Sequence, residues 1–461
     1  MNSKSNLKNH ILYVHPKSQM MFKELIPISV PATINFIARD YKILGLFQKE
    51  LSTKHIKEAK IIILDIHWYL TLPNAINLSK KIKKINPLIS IIVAGLTASY
   101  FHKQIIMNSS IDFIIRGDVE VPMKLLIKEI ISKTTNYESI PNLTTKNIST
   151  VHSYSTNKSD YNNFNYLNID FFPTFKKKIT QIHRINLTRP ISTHPAIMTF
   201  KGCFYDCNNC VGSNSMQQKI FKRDSILKDP TTVKKEIISC IKMGYKFVNF
   251  FHDFITQTDL SYINEILNEK YSLYVYYEFA RPPQDLNHLD MLMNSFKGGI
   301  ISIPVDLYHG SSNTLTNFDL LKKMITKIKK NNTFSEQILF SKYFYINDQN
   351  YKLFIEKLFY ETNMNIINCD FFWSNFPGDN LLKTKKEEEY NFYLKNKGKK
   401  FILFNFITKT WLFINTRSPR FCIPVLENIL LILTKQLSNL TFIIYKRLYI
   451  FFKLFDNIRH K

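Results

Sequence analysis

Three cysteines in one short stretch are the residues of this chain with the clearest chemistry. Cys203, Cys207 and Cys210 have the spacing C-x3-C-x2-C, shortly after the apolar run 196–198. Thiolates are preferred ligands of iron–sulfur clusters, and a four-iron cluster held by three cysteines keeps one iron open for an outside ligand. The spacing therefore predicts an iron–sulfur cluster with an open coordination site.

A zinc site and a disulfide framework are less suited to these cysteines. A structural zinc site needs four ligands, so His194 or His252 would have to complete it, whereas zinc loops usually carry paired C-x2-C units. The remaining cysteines, Cys240, Cys369 and Cys422, stand alone in the sequence. A disulfide framework is disfavoured because there are only 6 cysteines in 461 residues and no secretory signal pattern.

The cysteine spacing resembles the signature of the radical S-adenosylmethionine (SAM) superfamily. In that superfamily the open iron is chelated by SAM, and an electron from the cluster splits the sulfonium to give a 5'-deoxyadenosyl radical. Many members have an aromatic residue before the third cysteine, where this chain has Asn209; Phe204 and Tyr205 are expected to substitute. The resemblance implies a SAM site that includes Phe204, Tyr205, Asn209, Gly212, Ser213, Asp253, Glu278 and Arg281. For Glu278 and Arg281, a surface ion pair is an equal alternative.

Continuous apolar runs alternate with helical periods over the first 143 residues. Runs at 11–14, 61–64, 89–94 and 111–115 each end next to a polar residue or a glycine. This alternation predicts an α/β fold, with a parallel sheet and crossover helices in a Rossmann-like (flavodoxin-like) domain. Sheets of this kind bind ligands beyond the carboxyl ends of their strands.

Segments at those ends resemble the cobalamin-binding domain of one large radical SAM subclass. They are Gly95-Leu96-Thr97-Ala98, Arg116-Gly117-Asp118-Val119-Glu120 with Pro122, and Ile140-Pro141-Asn142-Leu143. We expect the glycines to let the backbone approach a corrin tail closely. A domain that has kept the fold but lost the cofactor is the alternative. The resemblance implies cobalamin contacts from Pro16, His67, Trp68, Gly95, Leu96, Thr97, Gly117, Asp118 and Glu120.

Asp65 and His67 have the spacing of the Asp-x-His motif that supplies a histidine to cobalt in methylmalonyl-mutase-like proteins. That motif follows the first strand of its domain, whereas Asp65 follows a later strand. We therefore expect cobalamin to be bound without a histidine ligand from the protein. For His67 and Trp68, packing in the core is slightly favoured over lining the corrin edge.

The sequence from residue 191 onward repeats a strand and helix pattern. Strands are expected at 247–251, 273–279, 300–305, 338–345 and 366–373, in addition to the run before the cysteines. Six such units predict a partial (β/α)6 barrel with its polar residues at the carboxyl ends of the strands. The predicted division is a cobalamin-binding domain at 1–143, a linker at 144–190, the radical SAM barrel at 191–398 and a mostly helical tail at 399–461.

Composition and the tail limit the choice of partners. The net charge of +26 favours anionic partners such as phosphorylated substrates, nucleic acid or an anionic membrane, with a solvated lysine surface as an equal alternative. Charges interrupt the apolar runs of the tail before the ~18 residues that a spanning helix needs. The tail is therefore expected to cap the barrel or to lie on a membrane surface.

Taken together, residues 10 to 380 resemble class B cobalamin-dependent radical SAM enzymes. The resemblance implies a methyltransferase that moves a methyl group from methylcobalamin to an unactivated carbon through the 5'-deoxyadenosyl radical. One alternative is a cyclase or rearranging enzyme with the same cofactors; another, disfavoured for want of a stacking-platform motif, is a non-catalytic iron–sulfur protein that binds nucleic acid. The expected partners are a small-molecule or lipid-like substrate, a reductant such as flavodoxin or ferredoxin, and peripheral membrane contact, in the cytoplasm.

Overall fold

The computed structural model describes most of the first 180 residues and the core of the following module. The described residues are 11–17, 26–180, 195–205, 213–252, 259–279, 286–305, 318–341, 349–363, 369–372, 390–391 and 394. The tail predicted at 399–461 lies outside them.

The first sheet has six strands. They are β1 (Ile11–His15), β2 (Ile43–Phe47), β3 (Ile61–Asp65), β4 (Ser90–Ala94), β5 (Phe113–Ile115) and β6 (Leu143–Thr144). Their order is β2-β1-β3-β4-β5-β6, and all pairs are parallel except β5 with β6. This is the flavodoxin-like order, whose direction of growth reverses between β1 and β3. The predicted fold of this part is confirmed.

Helices cover both faces of the first sheet. They are α1 (Ser29–Ile37), α2 (Thr53–Glu58), α3 (Leu72–Ile85), α4 (Leu96–Tyr100), α5 (His102–Asn108) and α6 (Glu120–Ser132). Most buried apolar side chains of α1 and α6 belong to one hydrophobic cluster and most of those of α2 to α5 to another, while Ala32 of α1 and Leu96 of α4 belong to two smaller clusters. In α3 the buried residues Leu72, Ala75, Ile76 and Ser79 recur every three to four positions, as one buried helix face requires.

The segment predicted as a linker is ordered between 144 and 180 and contacts both modules. It contains α7 (Lys158–Asn163) and α8 (Pro173–Thr180). The Phe172 ring lies 4.6 Å from the Phe47 ring of β2. The Tyr161 and Tyr166 rings lie 4.9 and 4.8 Å from the ammonium of Lys228 in the second module. This part of the chain therefore joins the two modules through packed aromatic side chains.

The second module contains a six-stranded parallel sheet and a short pair of antiparallel strands. The chain forms β7 (Ala196–Met198), β8 (Phe200–Lys201), β9 (Ile226–Leu227), β10 (Phe247–Phe251), β11 (Tyr271–Glu278), β12 (Phe296–Val305), β13 (Phe334–Ser341) and β14 (Cys369–Phe372). The order β14-β13-β12-β11-β10-β7 follows the chain, while β8 pairs antiparallel with β9. A sheet whose strands follow one another in this way is an open (β/α) barrel, as predicted.

Helices connect the strands of the second sheet. They are α9 (Asn214–Phe221), α10 (Pro230–Lys242), α11 (Asp259–Leu267), α12 (Asn287–Ser295), α13 (Phe318–Lys329) and α14 (Gln349–Thr362). Asp229 occupies the position before α10, with Pro230 in its first turn, and the chain turns at Gly244 with φ of +78°. Within the described residues, no helix is long and apolar enough to cross a membrane.

Candidate functional site

The backbone that enters the three-cysteine loop is held by two side chains that follow α9. The carbonyl of Lys201 accepts a hydrogen bond from Arg223 Nη1 at 2.9 Å, and the carbonyl of Cys203 accepts one from Ser225 Oγ at 2.5 Å. Gly202 lies between them with φ of +110°, and a Cβ there would stand 2.7 Å from Ser225 Oγ. A side chain would be strained and crowded at this position. The first cysteine of the motif is therefore fixed through its backbone.

Only part of the predicted cluster and SAM site falls within the described residues. Cys207, Asn209, Cys210, Gly212, Asp253 and Arg281 lie outside them. The Phe204 ring lies 6.1 Å from the Phe200 ring, the Tyr205 carbonyl accepts a hydrogen bond from the Asn214 amide at 2.8 Å, and Ser213 is buried immediately before α9. The described residues alone hold no group of three or more histidines, cysteines or carboxylates suited to a metal, because Cys203 is the one cysteine of the motif among them.

Glu278 ends β11 at the mouth of the second sheet. It lies level with Phe251 of β10 on one side and Ser302 of β12 on the other. Burial raises the pKa of its carboxyl, and the Tyr276 hydroxyl, which donates to Oε2 at 3.2 Å, opposes that rise. A hydrogen-bonding carboxyl thus stands at the edge where (β/α) barrels keep their chemistry.

His252, a possible fourth zinc ligand, is buried in the second module and contacts Thr199 and Tyr262. Its Nδ1 lies 2.7 Å from Thr199 Oγ1, and its ring stacks on the Tyr262 ring with centroids 5.3 Å apart. Burial, and to a smaller extent the charge of the neighbouring His288, lowers the pKa of His252 to about 3. His194, the other histidine considered for zinc, lies outside the described residues. These contacts give His252 a structural role as a neutral ring.

A cavity of about 200 Å³ lies between the carboxyl edge of the first sheet and the segment that enters the cysteine loop. Six predicted cobalamin residues line it: His67, Gly95, Leu96, Gly117, Asp118 and Glu120. The second module contributes Lys201, Gly202 and Arg223 to the same lining. Ligand pockets usually span about 300–1,000 Å³, so this cavity has room for one arm of a large ligand.

The other three predicted cobalamin residues, Pro16, Trp68 and Thr97, are buried and do not line this cavity. Thr97 Oγ1 donates to the His67 carbonyl at 2.9 Å, and the Trp68 and His67 rings lie 5.2 Å apart. Burial lowers the pKa of His67 to about 4, although the negative charge of Asp65 acts to raise it. Trp68 and Thr97 therefore support His67 in the cavity wall, and His67 presents a neutral ring.

The two glycines of the cavity wall are required by the protein itself. A Cβ on Gly95, whose φ is +119°, would lie 2.7 Å from the carbonyl carbon of Ile66. A Cβ on Gly117, whose φ is +66°, would lie 2.5 Å from the His152 ring. The atoms nearest to each missing Cβ belong to other segments of the chain, and the close approach of a corrin tail to these glycines stays a prediction.

Asp118 and Glu120 connect the two modules. Lys201 Nζ lies 3.1 Å from Asp118 Oδ1 and 3.1 Å from Glu120 Oε1, and Arg223 Nε lies 2.8 Å from Asp118 Oδ2. The Thr156 amide also donates to Asp118 Oδ2 at 2.8 Å. Burial by itself would raise the pKa of Asp118, but Lys201 and Arg223 hold it well below its usual range. Sequence reasoning predicted these carboxylates as ligand contacts and missed their cationic partners.

A second buried network lies at the switch point of the first sheet. Tyr13 and His15 of β1 both contact Asp65 of β3. The Tyr13 hydroxyl donates to Asp65 Oδ1 at 2.6 Å, and His15 Nδ1 lies 2.9 Å from the same oxygen. Tyr13 and Asp65 also line the cavity. Sequence reasoning missed Tyr13; its place two residues before the end of β1 was the available signal.

These two modules, with a flavodoxin-like sheet facing an open parallel barrel, have the fold of cobalamin-dependent radical SAM enzymes. One similar solved structure is the radical SAM methyltransferase TsrM from Kitasatospora setae, with tryptophan substrate and a SAM analogue bound. Its TM-score is 0.50 at 12% identity, over 72% of this chain and 67% of TsrM. Another is OxsB, a cobalamin-dependent SAM radical enzyme with aqua-cobalamin bound.

The OxsB comparison gives a TM-score of 0.54 at 13% identity, over 85% of this chain. This chain matches only 56% of the length of OxsB. No protein-family model and no curated protein sequence matches the chain. The similarity to known proteins is therefore one of fold.

Proposed function

We propose that this protein is a cobalamin-dependent radical SAM enzyme. The observation that carries the proposal is the shared cavity. Lys201 and Gly202, which lead into the three-cysteine loop, line the same space as the carboxyl ends of the first sheet. A flavodoxin-like sheet binds its ligand at those ends, and the cysteine spacing suits a cluster with an open iron. The fold shared with TsrM, whose structure holds a SAM analogue, and with OxsB, whose structures hold aqua-cobalamin and SAM, supports the same conclusion.

Each cofactor has residues of suitable chemistry in this chain. Cys203, Cys207 and Cys210 would hold the [4Fe-4S] cluster, and the cavity wall around Gly95 and Gly117 would hold part of cobalamin. Bound together, the cluster, SAM and cobalamin supply electron transfer, a carbon radical and a methyl carrier. The protein's own contribution would be to exclude water and to hold the cluster site and the cobalamin site at a set distance. The ion pairs of Asp118 with Lys201 and Arg223, which join the two modules, would keep that distance.

For the reaction itself we propose methyl transfer to an unactivated carbon of a small-molecule or lipid-like substrate. TsrM is described as a methyltransferase, which supports this choice. A cyclase or rearrangement reaction with the same cofactors is the second candidate, because OxsB has the same fold. Incubation with methyl-labelled SAM distinguishes them, since only a methyltransferase moves the label into product.

A flavodoxin or ferredoxin is the proposed reductant, and we propose a cytoplasmic protein with peripheral membrane contact.

Cysteine replacement tests the cluster. Cys203→Ala, in protein purified without oxygen, is expected to lose the broad visible absorption, the bound iron and sulfide, and all formation of 5'-deoxyadenosine. Cys240→Ala is the matched control, because Cys240 is buried among the apolar side chains of α10 and burial raises its pKa. Zinc in place of iron in the wild-type protein, or a cluster retained in Cys203→Ala, would refute the proposal.

A further inference from the structure

One carboxylate in the cavity wall differs from the others in its hydrogen bonding. Asp118 and Glu120 have their oxygens engaged by Lys201, Arg223 and backbone amides. Asp65 Oδ1 is engaged by Tyr13 and His15, while Oδ2 is buried and has no hydrogen-bond partner among the described residues. A buried carboxylate oxygen without a donor is costly.

The neighbours of Asp65 fix its orientation. Burial raises the pKa of Tyr13 well above its usual value, so the phenol stays protonated and donates to Oδ1. His15 Nδ1 approaches the same oxygen at 2.9 Å, and the His15 side chain has no solvent exposure. Asp65 is itself 5% exposed and lines the cavity. With Oδ1 occupied by two neighbours, Oδ2 is the oxygen left for a ligand.

The location of this oxygen agrees with the topology. Asp65 ends β3 and His15 ends β1, and the strand order reverses between these two strands. Open α/β sheets bind ligands at this reversal. The other titratable side chains that line the cavity are a neutral His67, Asp118 and Glu120, and two cations already paired with those carboxylates. The cations of the cavity are thus engaged elsewhere, and a group that donates a hydrogen bond is what Asp65 Oδ2 would bind.

We propose that Asp65 binds, through Oδ2, the N–H of one of the three propionamide arms on the corrin rim of cobalamin. The inference rests on the proposed function and deepens it by assigning one contact of the cofactor. Cobalamin carries several short carboxamide arms, and a cavity of about 200 Å³ admits one such arm. Hydrogen bonds to a charged acceptor contribute about 1.5–3 kcal/mol, which corresponds to roughly tenfold to hundredfold in affinity.

The test uses cobalamin analogues in which one carboxamide is replaced by a carboxylic acid. Equilibrium binding of hydroxocobalamin and its b-, d- and e-monocarboxylic acids is measured with the full chain. The wild-type protein is expected to bind one of the three acids at least about tenfold more weakly than hydroxocobalamin, because that acid places a carboxylate against Asp65. Equal affinity for hydroxocobalamin and all three acids would overturn the inference.

Asp65→Asn supplies the complementary result. The Tyr13 hydroxyl is a donor, so it holds the amide oxygen of the new side chain and turns its NH2 toward the cavity. The variant is expected to bind hydroxocobalamin about tenfold more weakly and to prefer the acid that the wild type rejects. Asp112→Asn is the control, since Asp112 pairs with Lys83 at 2.8 Å and precedes β5, at the opposite edge of the same sheet.

The outcomes separate this inference from the proposed function. A wild-type protein that binds no hydroxocobalamin refutes the cobalamin half of the proposed function and the inference with it. A wild-type protein that binds hydroxocobalamin, together with an Asp65→Asn variant of unchanged ligand preference, refutes the inference alone. Far-UV circular dichroism of the variant verifies its folding, and the wild-type comparison among the three acids needs no variant.

Discussion

The ion pairs between the two modules predict a large and specific loss of stability. Arg223→Met removes the partner of Asp118 Oδ2 at 2.8 Å, where the two side chains are 6% and 1% exposed. Removing one partner of a buried pair costs about 3–5 kcal/mol, because the other charge stays buried. Lys201 remains 3.1 Å from Asp118 Oδ1, so we expect the lower end of this range, about 3 kcal/mol.

The control is an ion pair with the same distance between its charged atoms but with both side chains exposed to solvent. Lys158 Nζ lies 2.8 Å from Asp229 Oδ1, but these side chains are 62% and 43% exposed. Lys158→Met is therefore expected to cost less than about 1 kcal/mol. Urea unfolding of the full chain, followed by far-UV circular dichroism, measures both variants.

A double-mutant cycle separates the ion pair from the other contacts of Arg223. Asp118→Asn in the Arg223→Met background is expected to recover at least about 1 kcal/mol relative to additive losses, because no buried charge then lacks its partner. Equal losses in Arg223→Met and Lys158→Met, or a cycle without coupling, would refute the reasoning.

Two further predictions concern backbone strain and buried charge. Gly95→Ala is expected to lower the melting temperature more than Gly244→Ala, because a Cβ at 95 meets the Ile66 carbonyl carbon at 2.7 Å, whereas nothing lies within 4 Å at 244 and only its positive φ opposes alanine. Equal shifts in differential scanning fluorimetry would contradict this. Lys228→Met is expected to destabilise the protein increasingly as pH rises above the ordinary range of a glutamate pKa. Burial raises the pKa of Glu236, Lys228 at 2.7 Å lowers it, and without the lysine the folded state keeps a proton that the unfolded state releases as pH rises. A pH-independent loss in urea titrations would rule out this role of Glu236.

Much of the fold could be predicted from the sequence because buried parallel strands leave a local pattern. Each apolar run of the first module became a strand within one or two residues of its expected bounds, as in β3 at Ile61–Asp65. In the second module, β10 is Phe247–Phe251 as predicted, while β12 begins earlier than expected, at Phe296. The early start includes Gly298 and Gly299, which interrupt the apolar pattern that sequence reasoning relied on.

The candidate site could be predicted where its residues follow the carboxyl ends of neighbouring parallel strands. Six of the nine predicted cobalamin residues line one cavity, because the carboxyl ends of parallel strands meet at one edge. The sequence also predicts the cysteine motif, since its three thiolates lie within eight residues. Such local patterns need no knowledge of how distant segments meet.

The tertiary structure alone decided which charges meet. Asp118 and Arg223 are 105 positions apart, and His15 and Asp65 are 50 apart. Periodicity records which face of a strand or helix is buried, but it does not record which loops of two different sheets come into contact. The docking of the two modules therefore pairs Asp118 and Glu120 with cations, and it leaves Asp65 in the cavity wall with one oxygen that has no hydrogen-bond partner among the described residues.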